Sequence, residues 1–526
     1  MNKLVLVLLL LAMIKIDAKA QAGDVSSFQK ISSSQGNLNV TLDTDDEFGF
    51  SVATIGDVNG DGITDVAVGS LKFEDSTQGS YQTIGAVYIL FLDANGKVKS
   101  SQIISENMGG FSAILHNTDR FGTSVEGIGD MNNDGIPDIA VGQVGLYGEG
   151  YVWIIFLKID GTVKSYQQIG YGNLGGFTGS ITSKCFFGWS IANIGDINND
   201  GVIDLAVGEY GDDDGYTDAG AFWILKMNAN GTVKANQKIS ATSGNFKATI
   251  TNFSYMGYAI EALPDINKDG ISELIVGEVL GGMSSLSNGG EIFLVSIDSS
   301  GLVTSAKDIY GYKNQLGTEI KIGDLFGCSI ASLGDVNFDG INDIAVGAYA
   351  SDEIPNSSGS VLILFLDSLA NVSSVQEISG TQGNMSGLHE GDYFGISLSP
   401  LGDFNGDGTP DLFIGASGDD DGNLYAGAVY SCYLSDGIHT GIKELNQEDN
   451  ILLYPNPTNG IVYLTNLKSK NAVADVYSIT GESILSDIHL YNNASINLTN
   501  EPDGIYIIKI KTEEGNFFKK AQVVSH

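Results

Sequence analysis

Six short stretches of this chain carry oxygen-bearing side chains at one fixed spacing. They are DVNGDGITD from Asp57, DMNNDGIPD from Asp130, DINNDGVID from Asp196, DINKDGISE from Asp265, DVNFDGIND from Asp335 and DFNGDGTPD from Asp403. Position one is Asp57, Asp130, Asp196, Asp265, Asp335 or Asp403, and position three is Asn59, Asn132, Asn198, Asn267, Asn337 or Asn405. Position five is Asp61, Asp134, Asp200, Asp269, Asp339 or Asp407, and position nine is Asp65, Asp138, Asp204, Glu273, Asp343 or Asp411. Gly at position six lets the backbone turn sharply and aim several hard oxygens at one point, which is calcium chemistry. An EF-hand loop would close with a bidentate Glu at position twelve between two helices. Here position twelve is Val68, Val141, Val207, Val276, Val346 or Ile414, all strand residues, so the donors end at position nine. A turn without metal is the simpler reading of any single copy; six copies with the same donors favour metal. The loops hold 18 of the 64 acidic residues, and carboxylates packed this tightly repel one another unless a cation sits among them.

The loops begin 66 to 73 residues apart, a period that marks a repeat architecture built from one supersecondary unit. Each unit reads as four strands. The first precedes the loop, as in FGFSVATI from Phe48, and returns from Phe121, Phe187, Met256, Phe326 and Phe394. The second follows the loop at once and ends at Gly69, Gly142, Gly208, Gly277, Gly347 or Gly415. The third is a continuous apolar run such as GAVYILFL from Gly85, as expected of a strand buried on both faces. An Asn-Gly or Asp-Gly turn leads into a more polar fourth strand: VKSSQIIS from Val98, VKSYQQIG from Val163, VKANQKIS from Val233, VTSAKDIY from Val303 and VSSVQEIS from Val372.

A sixth copy of that fourth strand, VSSFQKIS, lies at Val25 to Ser32, ahead of the first complete unit. A strand displaced to the front is what a circular array needs if the N-terminus completes the last sheet and leaves no open edge. The segment Gly437 to Leu445 competes for the same place. The pattern therefore predicts an all-β chain with six four-stranded blades around an axis over residues 21–445. Seven blades would need units shorter than any interval seen.

Residues 1–20 read as a signal peptide: Lys3, an apolar run of 11 residues from Leu4 to Ile14, then Ala18-Lys19-Ala20. That run is too short to cross a bilayer, so export without a transmembrane segment is expected. Cys185, Cys328 and Cys432 are odd in number and lie in apolar segments, the pattern of small buried hydrophobes and not of a disulfide framework. The net charge of −38, with Arg120 as the single arginine, disfavours binding to nucleic acid or an anionic membrane.

Phe-Gly opening the first strand, Gly-Asp-x-Asn-x-Asp-Gly-x-x-Asp in the loop, and Gly-Ala-Val-Tyr at Gly85 to Tyr88 and Gly427 to Tyr430 together resemble the FG-GAP repeats of integrin alpha-subunit propellers. The resemblance implies calcium held by the side chains at positions one, three, five and nine and by the backbone carbonyl at position seven. That carbonyl belongs to Ile63, Ile136, Val202, Ile271, Ile341 or Thr409. Up to six calcium ions follow. The chain departs from the family in having six repeats, where integrins have seven blades, and in carrying donors in every loop. The fourth loop is the expected weakest site: Met256 replaces Phe, Pro264 replaces Gly, Lys268 sits between ligands and Glu273 replaces Asp.

After the polar link Asn446 to Asn450 the composition changes. Short alternating segments at Ile461 to Leu464, Ala474 to Ile479, Ser495 to Leu498, Ile505 to Lys511 and Phe517 to Val524 predict a small Ig-like β-sandwich over 446–526. YPNPTNG from Tyr454, then Asp475 to Glu482, then Gly504 to Ile510, resemble the type A C-terminal sorting domain of the type IX (Por) secretion system of Bacteroidetes. The resemblance implies that type IX secretion machinery carries the protein out, to be released or held at the outer cell surface.

The five histidines show no metal spacing, and no catalytic constellation stands out; Arg120 with His116 is the nearest approach. The acidic tracts Gly211 to Gly215 and Gly418 to Gly422 read as solvated turns or as further cation or substrate sites. Two functions fit. The first is a non-catalytic adhesin whose calcium loops stiffen one face while the other meets an extracellular glycan or protein. The second is a secreted hydrolase or lyase acting on polysaccharide or phosphoester, built on the same calcium-stabilised ring.

Overall fold

A computed structural model describes residues 21–74, 83–145, 150–182, 184–265, 270–280, 289–310, 320–321, 323–351, 358–437 and most of 452–524. The expected signal peptide lies outside the described residues. Every regular element among them is a β-strand. The chain divides into two compact units, Met1–Ile438 and His439–His526, so the expected boundary at 445/446 falls a few residues from the observed one, in a stretch outside the described residues.

In the first unit the described residues form six four-stranded antiparallel sheets. Sheet one is β2 (Phe48–Gly56), β3 (Asp65–Ser70), β4 (Ala86–Leu92) and β5 (Val98–Ile104). Sheet two is β6 (Phe121–Gly129), β7 (Asp138–Gln143), β8 (Tyr151–Leu157) and β9 (Val163–Gly170). Sheet three is β10 (Phe187–Gly195), β11 (Asp204–Glu209), β12 (Ala221–Met227) and β13 (Val233–Ser240). Sheet four is β14 (Met256–Leu263), β15 (Glu273–Glu278), β16 (Glu291–Ile297) and β17 (Val303–Tyr310). Sheet five is β18 (Ile330–Gly334), β19 (Asp343–Ala348), β20 (Ser360–Leu366) and β21 (Val372–Ser379). The sixth has β22 (Phe394–Gly402), β23 (Asp411–Ala416) and β24 (Ala428–Asp436), and its fourth strand is β1 (Ala22–Ile31), paired antiparallel to β24 from Ala22↔Asp436 to Ile31↔Val429. The displaced N-terminal copy therefore occupies the place the sequence reserved for it.

The sheets meet in a cycle. Six apolar clusters lie between successive sheets, one of them joining the last sheet to the first through Phe48, Val68, Tyr88, Phe413 and Val429. At the axis the same contact recurs. Ser51 Oγ donates to Gly122 O, Ser124 to Gly188 O, Ser190 to Gly257 O, Ser329 to Gly395 O and Ser397 to Gly49 O, at 2.7 to 2.8 Å. The fourth sheet has Ala259 at this position and makes the junction without the hydroxyl. The glycine ending each second strand faces the same carbonyl, and a Cβ there would lie 2.0 to 2.1 Å from it in all six sheets. This close approach explains the recurring Val-Gly or Ile-Gly. Gly142→Ala is accordingly expected to cost about 1–3 kcal/mol or more through overpacking, read as a lowered melting temperature by calorimetry.

The second unit has β25 (Leu452–Tyr454), β26 (Ile461–Thr465) and β29 (Ser495–Asn497) in one sheet. β28 (Ser483–Leu490), β27 (Ala472–Ser478), β30 (Gly504–Thr512) and β31 (Gly515–Val523) form the other. Val462, Leu464 and Ile496 of the first share one core with Ala474, Val476, Ile508 and Ile510 of the second, which is the expected sandwich. β28 was not expected; register shifts in its pairing with β27 break the alternation that would have marked it.

Candidate divalent-cation loops and axial mouth

Each acidic loop joins the first to the second strand of its sheet, and its backbone is held by its own carboxylates. The position-one Asp accepts the N–H of the position-six Gly in every loop: Gly62 to Asp57, Gly135 to Asp130, Gly201 to Asp196, Gly270 to Asp265, Gly340 to Asp335 and Gly408 to Asp403, at 2.7 to 3.0 Å. The position-five Asp accepts the N–H of position seven, as Asp61 does from Ile63 and Asp339 from Ile341. Asn267, Lys268 and Asp269 of the fourth loop lie outside the described residues.

The position-nine carboxylate is the buried member. Asp65, Asp138, Asp204, Asp343 and Asp411 are fully enclosed. One oxygen of each accepts the N–H of a residue at or near the end of the third strand, namely Leu92, Leu157, Met227, Leu366 or Leu434. Burial pushes the pKa of Asp65 and Asp343 up to about 6 and that of Asp138 and Asp411 up to about 7, and raises Asp204 as well. In the fourth loop Glu273 is equally buried and its longer side chain reaches the Ser296 hydroxyl at 3.2 Å.

This donor set fits a hard divalent cation. One short turn carries hard oxygens at positions one, three, five and nine, and five enclosed carboxylates are destabilised in their charged form, a cost that a cation offsets. Asn59 Oδ1 at position three is buried with no hydrogen-bond partner, as a metal ligand would be.

Sequence reading missed the lysines that reach these loops. Lys99, Lys164 and Lys234, each the second residue of a fourth strand, pair with the position-five carboxylates Asp61, Asp134 and Asp200. The pairing holds those three carboxyls below their usual pKa range. The repeated Val-Lys was visible; its partner, some thirty residues upstream, was not.

The first strands run from the other end of the axis towards the loops, and at their starts lies an unexpected aromatic cluster. Trp189 packs 4.8 Å from Tyr210, 5.1 Å from Tyr258 and 5.9 Å from Phe50. Phe186 stacks on Tyr210 at 4.8 Å, Tyr255 lies 5.6 Å from Tyr210, and Tyr349 lies 5.7 Å from Tyr393. All eight rings are half-buried. Arg120, Phe186, Tyr255 and Tyr393, each just before the first strand, are held at φ of 53° to 61°, a left-handed backbone that is uncommon outside glycine. The residue directly after the Phe-Gly or Met-Gly opening, Phe50, Trp189 or Tyr258, was the available signal.

The other sequence candidates resolve differently. His116 Nδ1 lies 3.6 Å from Asp119 in an exposed turn. The two acidic tracts are pinned turns: Lys238 pairs with Asp212 at 2.6 Å and Lys30 with Asp419 at 2.8 Å, while Asp214 and Asp421 accept hydrogen bonds from Ser240 and Ser32. They fasten the second-to-third connections of opposite sheets to their fourth strands. Cys185, Cys328 and Cys432 are buried free thiols, as expected.

Comparison with known proteins agrees with this architecture. The FG-GAP repeat model matches residues 327–364 and 394–432, and the FG-GAP-like repeat model matches 130–207. The secretion system C-terminal sorting domain model matches 452–524. The chain thus carries FG-GAP repeats in an all-β fold of propeller-like sheets and ends in a type IX (Por) C-terminal sorting domain, which directs it to secretion or the cell surface. Among curated proteins it is similar to integrin alpha-6 of Gallus gallus, 36% identical over 31% of this chain and 14% of that protein. It is also similar to integrin alpha-5 of Xenopus laevis, 32% identical over 32% and 15%, and to integrin alpha-IIb of Mus musculus, 26% identical over 50% and 24%. The chain matches less than a quarter of the length of these relatives. No helix among the described residues is long and apolar enough to cross a membrane, which leaves β-barrels unaddressed.

Proposed function

We propose that residues 21–445 form a six-bladed, calcium-stabilised propeller that acts at the cell surface as a non-catalytic adhesin, with residues 1–20 removed on export and 446–526 serving the type IX machinery. Calcium sits in the loops at one end of the axis and stiffens that face. The partner, a neutral glycan or a protein, is met at the other end by the aromatic mouth. The observation that carries this reading is the ring cluster of Trp189, Tyr210, Tyr255 and Tyr258, half-exposed and held partly by left-handed backbone. Aromatic faces of this kind suit sugar rings and apolar side chains. Binding the full-length protein to arrays of glycans and extracellular proteins tests it. Tyr255→Ala and Tyr393→Ala should each abolish retention on the ligand found, with little change in melting temperature. Loss of retention only on substitution of the acidic loops would reverse the assignment of faces, and release of reducing ends during incubation would replace the adhesin by a hydrolase.

A further inference from the structure

The six loops are not equivalent, and what separates them lies outside the loops. In the first three sheets the second residue of the fourth strand is a lysine. Its ammonium reaches one oxygen of the position-five carboxylate, Lys164 Nζ to Asp134 Oδ2 and Lys234 Nζ to Asp200 Oδ2 at 2.7 Å, with Lys99 on Asp61 in the same way. The other oxygen of each carboxylate accepts the position-seven N–H of Ile63, Ile136 or Val202 at 3.0 to 3.1 Å. The lysines are half-exposed.

In the other three sheets the same register position is Thr304, Ser373 or Ser26. These hydroxyls turn away from the loop and donate to carbonyls of the adjacent third strand: Thr304 to Ser296 O, Ser373 to Phe365 O and Ser26 to Tyr433 O, at 3.0 to 3.2 Å. In the fifth and sixth loops Asp339 and Asp407 receive only neutral donors, Asn337 Nδ2 and Asn405 Nδ2 at 3.0 Å together with backbone N–H groups. In the second and third loops the position-three amide is shared, Asn132 and Asn198 donating to Asp138 and Asp204 at 3.0 Å while also helping to hold down the carboxyls of Asp134 and Asp200. In the first three loops lysine is thus a charged donor added, as the larger influence, to a carboxylate that the asparagine amide also faces.

We propose that Lys99, Lys164 and Lys234 are built-in latches that split the divalent-cation loops into two affinity classes, an inference that rests on the calcium reading above. With no cation bound, the ammonium neutralises the position-five carboxylate and keeps the loop folded. Against a bound dication it is a like charge a few ångströms away in a solvated setting, which weakens that site by roughly tenfold. Loops one to three are latched and fill at higher calcium; loops five and six are open and fill first. Because the contact is exposed, the gap between classes narrows at high salt.

Calorimetric titration with calcium alone, alongside melting curves in chelator, tests this on the full chain. The parent should show two classes of site. The triple variant Lys99→Met, Lys164→Met, Lys234→Met should tighten the weak class about tenfold and at the same time melt lower in chelator. Ser373→Lys should do the reverse at the fifth loop, loosening one tight site. Opposite signs in the two readouts separate a latch from a general loss of stability. Unchanged binding constants in both variants overturn the latch while leaving the calcium reading intact; absence of any calcium heat or melting shift in the parent overturns that reading and the latch with it.

Discussion

Excess chelator should lower the melting temperature of the intact protein, and restoring calcium should return it. A cation that binds the folded ring and not the unfolded chain contributes about 2.7 kcal/mol per site when free calcium is 100 times the dissociation constant, and several sites act together. The contribution depends on pH with a definite sign. Burial lifts the position-nine carboxylates from an ordinary 3.8 to about 6 or 7 in the absence of a cation. Between those values the metal-free fold binds more protons than the unfolded chain, so its own stability falls as pH rises through the window. Calcium needs the same carboxylates deprotonated, so its stabilising effect grows over that window, complete above about pH 7 and lost by about pH 4. Melting curves with calcium and with chelator should therefore diverge at pH 8 and coincide at pH 4. Among variants, the calcium-dependent part of the loss should be larger for Asp335→Ala than for Asp265→Ala. The fourth loop closes with Glu273, one methylene longer and engaged with Ser296, and carries Lys268 between its donors. Coincident curves at every pH would remove the metal from these loops.

The features legible in the sequence are those that repeat along it. Period-two and continuous apolar strands, the Asp-x-Asn-x-Asp-Gly turn and the displaced VSSFQKIS are local patterns, and each maps onto an observed element or pairing. Their limits are also local. β18 begins at Ile330 and not at Phe326: in the first three sheets the ladder is interrupted by a register shift after Phe48, Phe121 and Phe187, and in the fifth sheet the pairing starts only beyond that point, at Ile330↔Val346. The latches and the mouth are of another kind. Lys164 meets Asp134 only because a hairpin returns the fourth strand beside the loop, and Trp189 meets Phe50 across sheets more than a hundred residues apart. No periodicity encodes such pairs. The Val-Gly ending each second strand lies between: its repetition was plain, and its cause, a carbonyl of the next sheet against the glycine Cα, needed the ring.

Removal of Asn450 to His526 should leave a folded propeller that no longer leaves the cell envelope. The two units have separate cores, and the ring closes through β1 on β24, both inside the first unit, so truncation exposes no new strand edge. The deleted segment contains the whole 452–524 match to the sorting domain, so the truncated chain keeps its fold and loses its address. Its melting temperature and calcium response should equal those of the propeller within the full chain. Its location should change completely, from medium or cell surface to the periplasm, as fractionation with antibody against the propeller reads directly. The converse arm attaches residues 439–526 to an unrelated exported protein, which should then reach the surface. Normal delivery of the truncated propeller, or failure of the fusion to be delivered while its sandwich is folded, would show that sorting information lies elsewhere in the chain. Retention together with a lowered melting temperature would show instead that the second unit stabilises the first, contrary to the independence of the two cores.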